Sequence, residues 1–194
     1  MKLTKKIKIT LLSAACIIFL MPAASFALVD VNLYGSLPFK AEYNSVDKKI
    51  TDDYGYGVSA HFNTDFLVFL HVGIGGFYQF SSITYDSSWT SGVTVDHSYA
   101  GIDVYAQLDI PLLPVAPYVR ANEALWNKIE LRGLSDTDSF NRHGIGCGVV
   151  FSLIPIPELF KLQIFAEYMY GWGEMNDIKF NDHLFNLGLR ADIL

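Results

Sequence analysis

From residue 99 to residue 109 the chain alternates strictly between apolar and polar side chains. Ala100, Ile102, Val104, Ala106 and Leu108 occupy one set of alternate positions; Tyr99, Gly101, Asp103, Tyr105, Gln107 and Asp109 occupy the other. A period of two marks a β-strand with two unlike faces. The pattern breaks at Pro111, Pro114 and Pro117 and then resumes through Tyr118 and Arg120. Six further segments alternate in the same way: residues 29–43, 54–62, a third beginning near 68, 140–153, 161–172 and 182–194. In the third, the Gly75-Gly76 pair is expected to form a bulge that shifts the alternation by one. With the two strands flanking the prolines, this makes eight.

The connections alternate as well. Residues 44–53, 81–96, 128–139 and 173–182 are long and mostly polar; residues 63–67, 111–117 and 154–160 are short. An even number of antiparallel strands places all the long connections at one end and all the short ones at the other. The expected fold is all-β: an eight-stranded antiparallel up-and-down barrel.

One face of every segment is almost free of charge at mid-strand. The other carries Lys40, Glu42, Asp103, Asp109, Arg120, Glu167, Arg190 and Asp192, interspersed with glycine. A charged side chain held against lipid at mid-depth costs ~2–4 kcal/mol. The apolar rows therefore read as lipid-facing, and these eight residues as a polar network inside a narrow lumen. Closure satisfies every backbone group where no water is present. Tyr43, Tyr54, Tyr56, Tyr78, Tyr99, Trp126, Phe140, Tyr170, Trp172 and Phe180 crowd the long-loop ends, as an aromatic girdle would; Phe62, Phe66, Phe151 and Phe160 lie near the short turns. A soluble secreted barrel would have the opposite polarity, with charge outside.

Composition agrees with a membrane barrel. Apolar residues make up 51% of the chain, yet beyond residue 27 no uninterrupted apolar run is long enough for a spanning helix. Residues 1–27 read as a cleaved signal peptide: Lys2, Lys5, Lys6 and Lys8, then the apolar 9–20, then Ser25-Phe26-Ala27 before the cut. An alternative is lipoprotein processing at Cys16. Cleavage after Ala27 leaves the barrel domain, residues 28–194, with ten basic and twenty acidic residues, a net charge of −10. That balance argues against a nucleic-acid partner. Cys147 is then the single cysteine, expected as a small apolar residue rather than a reactive thiol.

These segments resemble the small eight-stranded bacterial outer-membrane barrels of the OmpA, OmpX and OmpW type. A local match is the final strand, where Asn186, Gly188, Ala191 and Ile193 follow the layout of the signal read by the barrel-insertion machinery in that class; Leu194 replaces the usual terminal aromatic. The resemblance implies an outer-membrane location with both termini periplasmic and the long loops extracellular. It also implies outer-membrane lipids and the insertion machinery as partners.

Candidate chemistry is sparse. His61 and His71 flank one short turn and are expected to approach each other, too few ligands for a metal site. Gln107 is expected opposite Arg120. Asp96-His97-Ser98 invites a hydrolase reading, but neighbours on a strand point to opposite faces. No cofactor, metal or enzymatic activity is expected. The functional expectation is a monomeric surface barrel acting through its long loops on surface or host ligands, with Trp89 as a candidate contact. A narrow channel for small apolar molecules or ions is the alternative, with a lipid-modifying enzyme behind it.

Overall fold

The computed structural model describes residues 28–43, 46–48, 53–67, 69–87, 90–110, 113–131, 134–136, 141–156, 160–175 and 178–193. They form β1 (Leu28–Tyr43), β2 (Val46–Lys48), β3 (Tyr54–Leu67), β4 (Leu70–Ser87), β5 (Thr90–Leu108), β6 (Val115–Leu131), β7 (Leu134–Asp136), β8 (Asn141–Ile156), β9 (Phe160–Met175) and β10 (Ile178–Ile193). The long strands pair antiparallel in the order β10-β9-β8-β6-β5-β4-β3-β1, and β10 pairs with β1 to close the cylinder. Closure removes every sheet edge. β2 and β7 are short additions to β1 and β6. The cylinder has a terminal end, where Val29 pairs with Ile193, and a hairpin end, where Ile178 pairs with Met175.

The faces are inverted relative to a soluble barrel. On β10 the apolar Phe185, Leu187 and Leu189 are exposed, while Asn186 and Arg190, at alternate positions, are buried. The same holds on β5, where Ile102 and Val104 are exposed and Asp103 is 1% exposed. Leu33 at 64%, Phe62 at 66% and Leu125 at 68% show how fully this apolar face lacks protein neighbours. It is a lipid-facing surface, and the fold is that of a transmembrane barrel.

Strands are longer than the sequence pattern suggests. β4 and β5 are 18 and 19 residues long; β4 runs to Ser87 and β5 starts at Thr90, within the stretch that reads as a polar loop. Only ~9–11 tilted residues cross a bilayer, so the remainder pairs beyond it, where the faces need no apolar row. Similar extensions take β6 to Leu131 and β9 to Met175, and begin β10 at Ile178.

Three local expectations fail for identifiable reasons. The ladder of β1 against β10 shifts between Pro38 and Lys40; beyond it Ala41 is buried and Lys40 is exposed on the outer face. Lys40 is therefore not a lumen residue. No shift occurs at Gly75-Gly76, which stay in register with both neighbours; a shift occurs instead where β6 accommodates Leu125, so that Leu125 and Trp126 both face outward. Finally, Tyr99 and Phe180 are interior, not girdle, residues, at 1% and 7% exposure. Tyr54, Tyr56, Trp126 and Trp172 do face outward, while the side chains of Tyr43, Phe66, Phe140 and Phe160 lie outside the described set.

The outer face predicts a substitution cost. Leu187→Arg places a guanidinium at mid-strand on the apolar surface, and should destabilise the barrel by ~2–4 kcal/mol in urea unfolding from lipid vesicles. Leu187→Ile should leave the midpoint nearly unchanged.

Candidate functional site

The interior is a stack of paired charges. Nearest the terminal end, Asp30 on β1 meets His61 Nδ1 on β3 at 2.6 Å. His61 Nε2 lies 2.9 Å from Asp103 Oδ1 on β5. Arg120 on β6 donates from Nε to Asp103 Oδ2 at 2.8 Å and forms a second contact through Nη2. Its Nη1 reaches Glu167 Oε1 on β9 at 3.4 Å, and Asn186 Nδ2 donates to the same oxygen at 2.8 Å. Arg190 on β10 donates to Asn32 Oδ1 and Gln107 Oε1 at 2.8 and 2.7 Å, with its guanidinium 4.7 Å from the centre of the Tyr105 ring. Three carboxylates thus face two guanidiniums and one imidazole, all buried. Unpaired, any of them would carry a large desolvation cost.

Toward the hairpin end, Arg142 on β8 grips Asp182 on β10 with Nη2 at 2.6 and 2.8 Å. Its guanidinium lies 4.1 Å from the centre of the Tyr99 ring, a cation–π geometry. Above this pair Ile129 and Phe180 pack with Val95.

Several of these bridges skip a strand, and glycine makes the crossing possible. Strands two apart are separated by about 9–10 Å. Gly75 on β4 lies in register between His61 and Asp103. Gly57 on β3 lies between Tyr34 and Gln79, whose side chains meet at 3.4 Å. Gly73 lies beneath Tyr105, whose hydroxyl crosses to lie 2.6 Å from Asp30 Oδ2 and 2.8 Å from Asn63 Oδ1. A Cβ on Gly171 would collide with both Asp182 and Arg142.

The terminal mouth has a separate cluster. His71 on β4 donates from Nε2 to Asp109 Oδ2 at 2.7 Å, and its Nδ1 contacts Asp65. Gln107 donates to Asp109 Oδ1 at 2.7 Å. Burial opposes the charge on Asp109, but the bonds from His71 and Gln107 prevail and hold its pKa down at about 2. Beside it a cavity of about 260 Å³ is lined by Asp109, Pro114, Val115, Ser152, Lys161 and Gln163. At the hairpin end, a cavity of about 20 Å³ lies among Ala41, Ile83, Val95, His97, Ile129 and Phe180, room for about one water. The paired charges lie between the two.

Of the residues expected in the lumen, Asp103, Arg120, Glu167 and Arg190 come together in the stack, and Asp109 and the half-buried Asp192 lie nearer the terminal mouth. Lys40 faces outward. The side chain of Glu42 and residue Trp89 lie outside the described set. Gln107 pairs with Tyr118, and Arg120 with Tyr105, two residues from the expected register. His61 and His71 do not meet; each takes its own pair of carboxylates. His97 is buried, while Ser98 on the opposite face receives the Tyr78 hydroxyl at 3.4 Å. Asn186 of the final-strand motif is buried in the stack, and Ile193 is exposed outside. Among the described residues no cluster of three or more His, Cys, Asp or Glu is arranged to hold a metal. Asp30, Arg142 and Asp182 belong to the stack although sequence reasoning did not select them. The signal for Arg142 was its place in the row with Gly144 and Gly146.

No family model matches the sequence, and no curated protein matches it significantly. Solved structures do. Neisserial surface protein A (NspA) superposes with a TM-score of 0.55 at 18% identity, covering 86% of this chain and 95% of its own. The chain has the fold of the small outer-membrane β-barrels. The attachment invasion locus protein Ail of Yersinia pestis matches at 16% identity and a TM-score of 0.48, over 84% of this chain and 98% of its own. The outer membrane protein AlkL matches at 13% identity and a TM-score of 0.47, over 89% and 95%.

Two predictions follow from the interior. Arg142→Ala and Gly171→Val should each destabilise, the first by ~3–5 kcal/mol because it strands a buried carboxylate. The double variant should lose less than the sum, because truncating Arg142 clears the space a valine needs; a double-mutant cycle in vesicles measures the coupling. At the mouth, the Asp109 charge contributes stability that is complete above the ordinary carboxylate value of about 3.9 and is lost as pH falls through about 2. Asp109→Asn should therefore flatten the loss of stability in that window relative to the unmodified protein.

Proposed function

We propose that this chain is an outer-membrane barrel whose body is a closed, ion-paired plug and whose dealings with other molecules take place at its surface. The observation that carries this reading is the Asp30–His61–Asp103–Arg120–Glu167 chain. It crosses the lumen from β1 to β9, between the two end cavities. Eight strands enclose a space that side chains nearly fill, and here paired charges occupy it.

In this reading residues 1–27 are removed on export, and the terminal end with its short turns faces the periplasm. The long hairpins then stand outside the cell and supply the contact surface, Trp89 included. Asn186, Gly188, Ala191 and Ile193 serve the insertion machinery, and the barrel acts as a monomer without a cofactor. The exposed apolar face supports the membrane location, and the lengthened hairpins support an extracellular role. The chemistry of the hairpin ligand is open. Neither a hydrolytic dyad nor a conduit for small apolar molecules gains support from the interior geometry.

Two measurements on the folded protein test this. Membrane fractionation with a gel run with and without heating should place the chain in the outer membrane and show a heat-dependent shift in mobility. In planar bilayers the reconstituted protein should give no sustained conductance. Stable, reproducible current steps would favour the channel reading instead.

A further inference from the structure

The terminal mouth holds the cavity of about 260 Å³, and no member of the Asp30–Glu167 chain lines it. Two opposite charges do. Asp109 follows the last residue of β5. Lys161 is the second residue of β9 and shares the inward row with Gln163 and Glu167. Asp109 has His71 Nε2 at 2.7 Å on one oxygen and Gln107 Nε2 at 2.7 Å on the other. A carboxylate offers about four lone-pair sites, so each oxygen can accept once more. Lys161 Nζ lies 3.3 Å from the Gln163 carbonyl oxygen when that amide turns its nitrogen to Asp192 Oδ2, also at 3.3 Å. This contact uses one of the three ammonium protons. The two charges thus stand on one cavity with different partners.

Backbone bonds hold this cavity open. Asp109 N donates to Phe69 O at 2.8 Å, which fixes the acidic end. Leu113 N donates to Ile110 O at 3.1 Å, and Ser152 N to Pro114 O at 3.2 Å, so the turn between β5 and β6 is closed on itself and fastened to β8. The ladder of β8 against β9 then shifts between Ser152 and Ile154, a type of irregularity frequent beside functional sites. A pocket formed in advance costs little ordering when it is filled.

Charge balance decides what fits. Around the mouth Asp65, Asp109 and Asp192 outnumber His71 and Lys161. A simple anion would face that acidic excess, and a simple cation would face Lys161. A solute that carries both signs a few bonds apart answers Lys161 and Asp109 together. Pro114 and Val115 offer its hydrocarbon an apolar wall.

We propose that the terminal mouth binds a small zwitterion of the aliphatic amino-acid type. Its carboxylate lies at Lys161 beside Ser152, its ammonium at Asp109, and its side chain against Pro114 and Val115. The site goes beyond the surface role proposed above and rests only on the folded barrel.

The test is saturation-transfer NMR of the barrel in lipid nanodiscs, which leave the mouth open to solvent. The probes are L-leucine, 4-methylpentanoate, which lacks the ammonium, and 3-methylbutylamine, which lacks the carboxylate. Leucine should bind saturably at about millimolar concentration. Each analogue should bind about tenfold more weakly, the worth of one charge-assisted hydrogen bond. Lys161→Gln should weaken leucine about tenfold without weakening the amine; Asp109→Asn should weaken leucine about tenfold without weakening the carboxylate. The heat-dependent gel shift confirms that each variant is folded. No saturable leucine binding, equal binding of the three probes, or leucine binding unchanged in either variant overturns the site, while a retained gel shift leaves the barrel reading intact. A chain that neither enters nanodiscs nor shifts on heating overturns both.

Discussion

A charge inside a cylinder walled by lipid has no bulk water to turn to, and this constraint shapes the interior. Each buried ion must find its partner among side chains projecting from the same ring of strands. Adjacent strands offer partners about 5 Å away, but a ring of eight also has to be tied across, over strands whose own side chains would stand in the way. Glycine removes the obstruction. Gly75 lies in register between His61 and Asp103, and a Cβ on Gly171 would strike the Arg142–Asp182 pair. The glycine row and the charge row are thus one device: the first clears the path that the second uses.

The outer face follows from the same boundary seen from the other side. Lipid tolerates apolar side chains and penalises charge at depth, so Ile102, Val104, Leu187 and Leu189 occupy positions that a soluble barrel would give to polar groups. The penalty relaxes toward the headgroups. Toward the hairpin end the strands continue into paired hairpins such as β4 with β5, joined as far as Ser87 and Thr90. A body crossed by paired charges and carrying strand-built extensions is what the proposed surface role rests on.

Much of the architecture was legible in the period-two pattern, because a single residue of slip would move an entire row to the wrong solvent. Asp103, Arg120, Glu167 and Arg190 lie on the polar row by parity, and all four are buried. What parity cannot register is a local extra residue. The shift at Pro38/Lys40 sent Lys40 outward, and the one at Leu125 reset β6, while Gly75-Gly76, which has the composition of a bulge, stayed in register with both neighbours. The stretch 81–96 read as loop because, beyond the bilayer, neither face needs to be apolar. Pairings between strands, such as His61 with two carboxylates instead of with His71, depend on register and barrel shear, which no single strand encodes.

The claim beneath all of this is that even positions from 100 to 108 meet lipid and odd positions meet the sealed interior. Spin labels introduced singly at each of these positions, in a Cys147→Ser background and in reconstituted vesicles, measure it directly through collision with oxygen, which partitions into lipid, and with a water-soluble nickel chelate. The account predicts oxygen accessibility with a period of two, maximal at 102 and 104, and little access of the nickel reagent at 103 and 105. Strong nickel access at 103 and 105, with 102 and 104 shielded from both reagents, would contradict it.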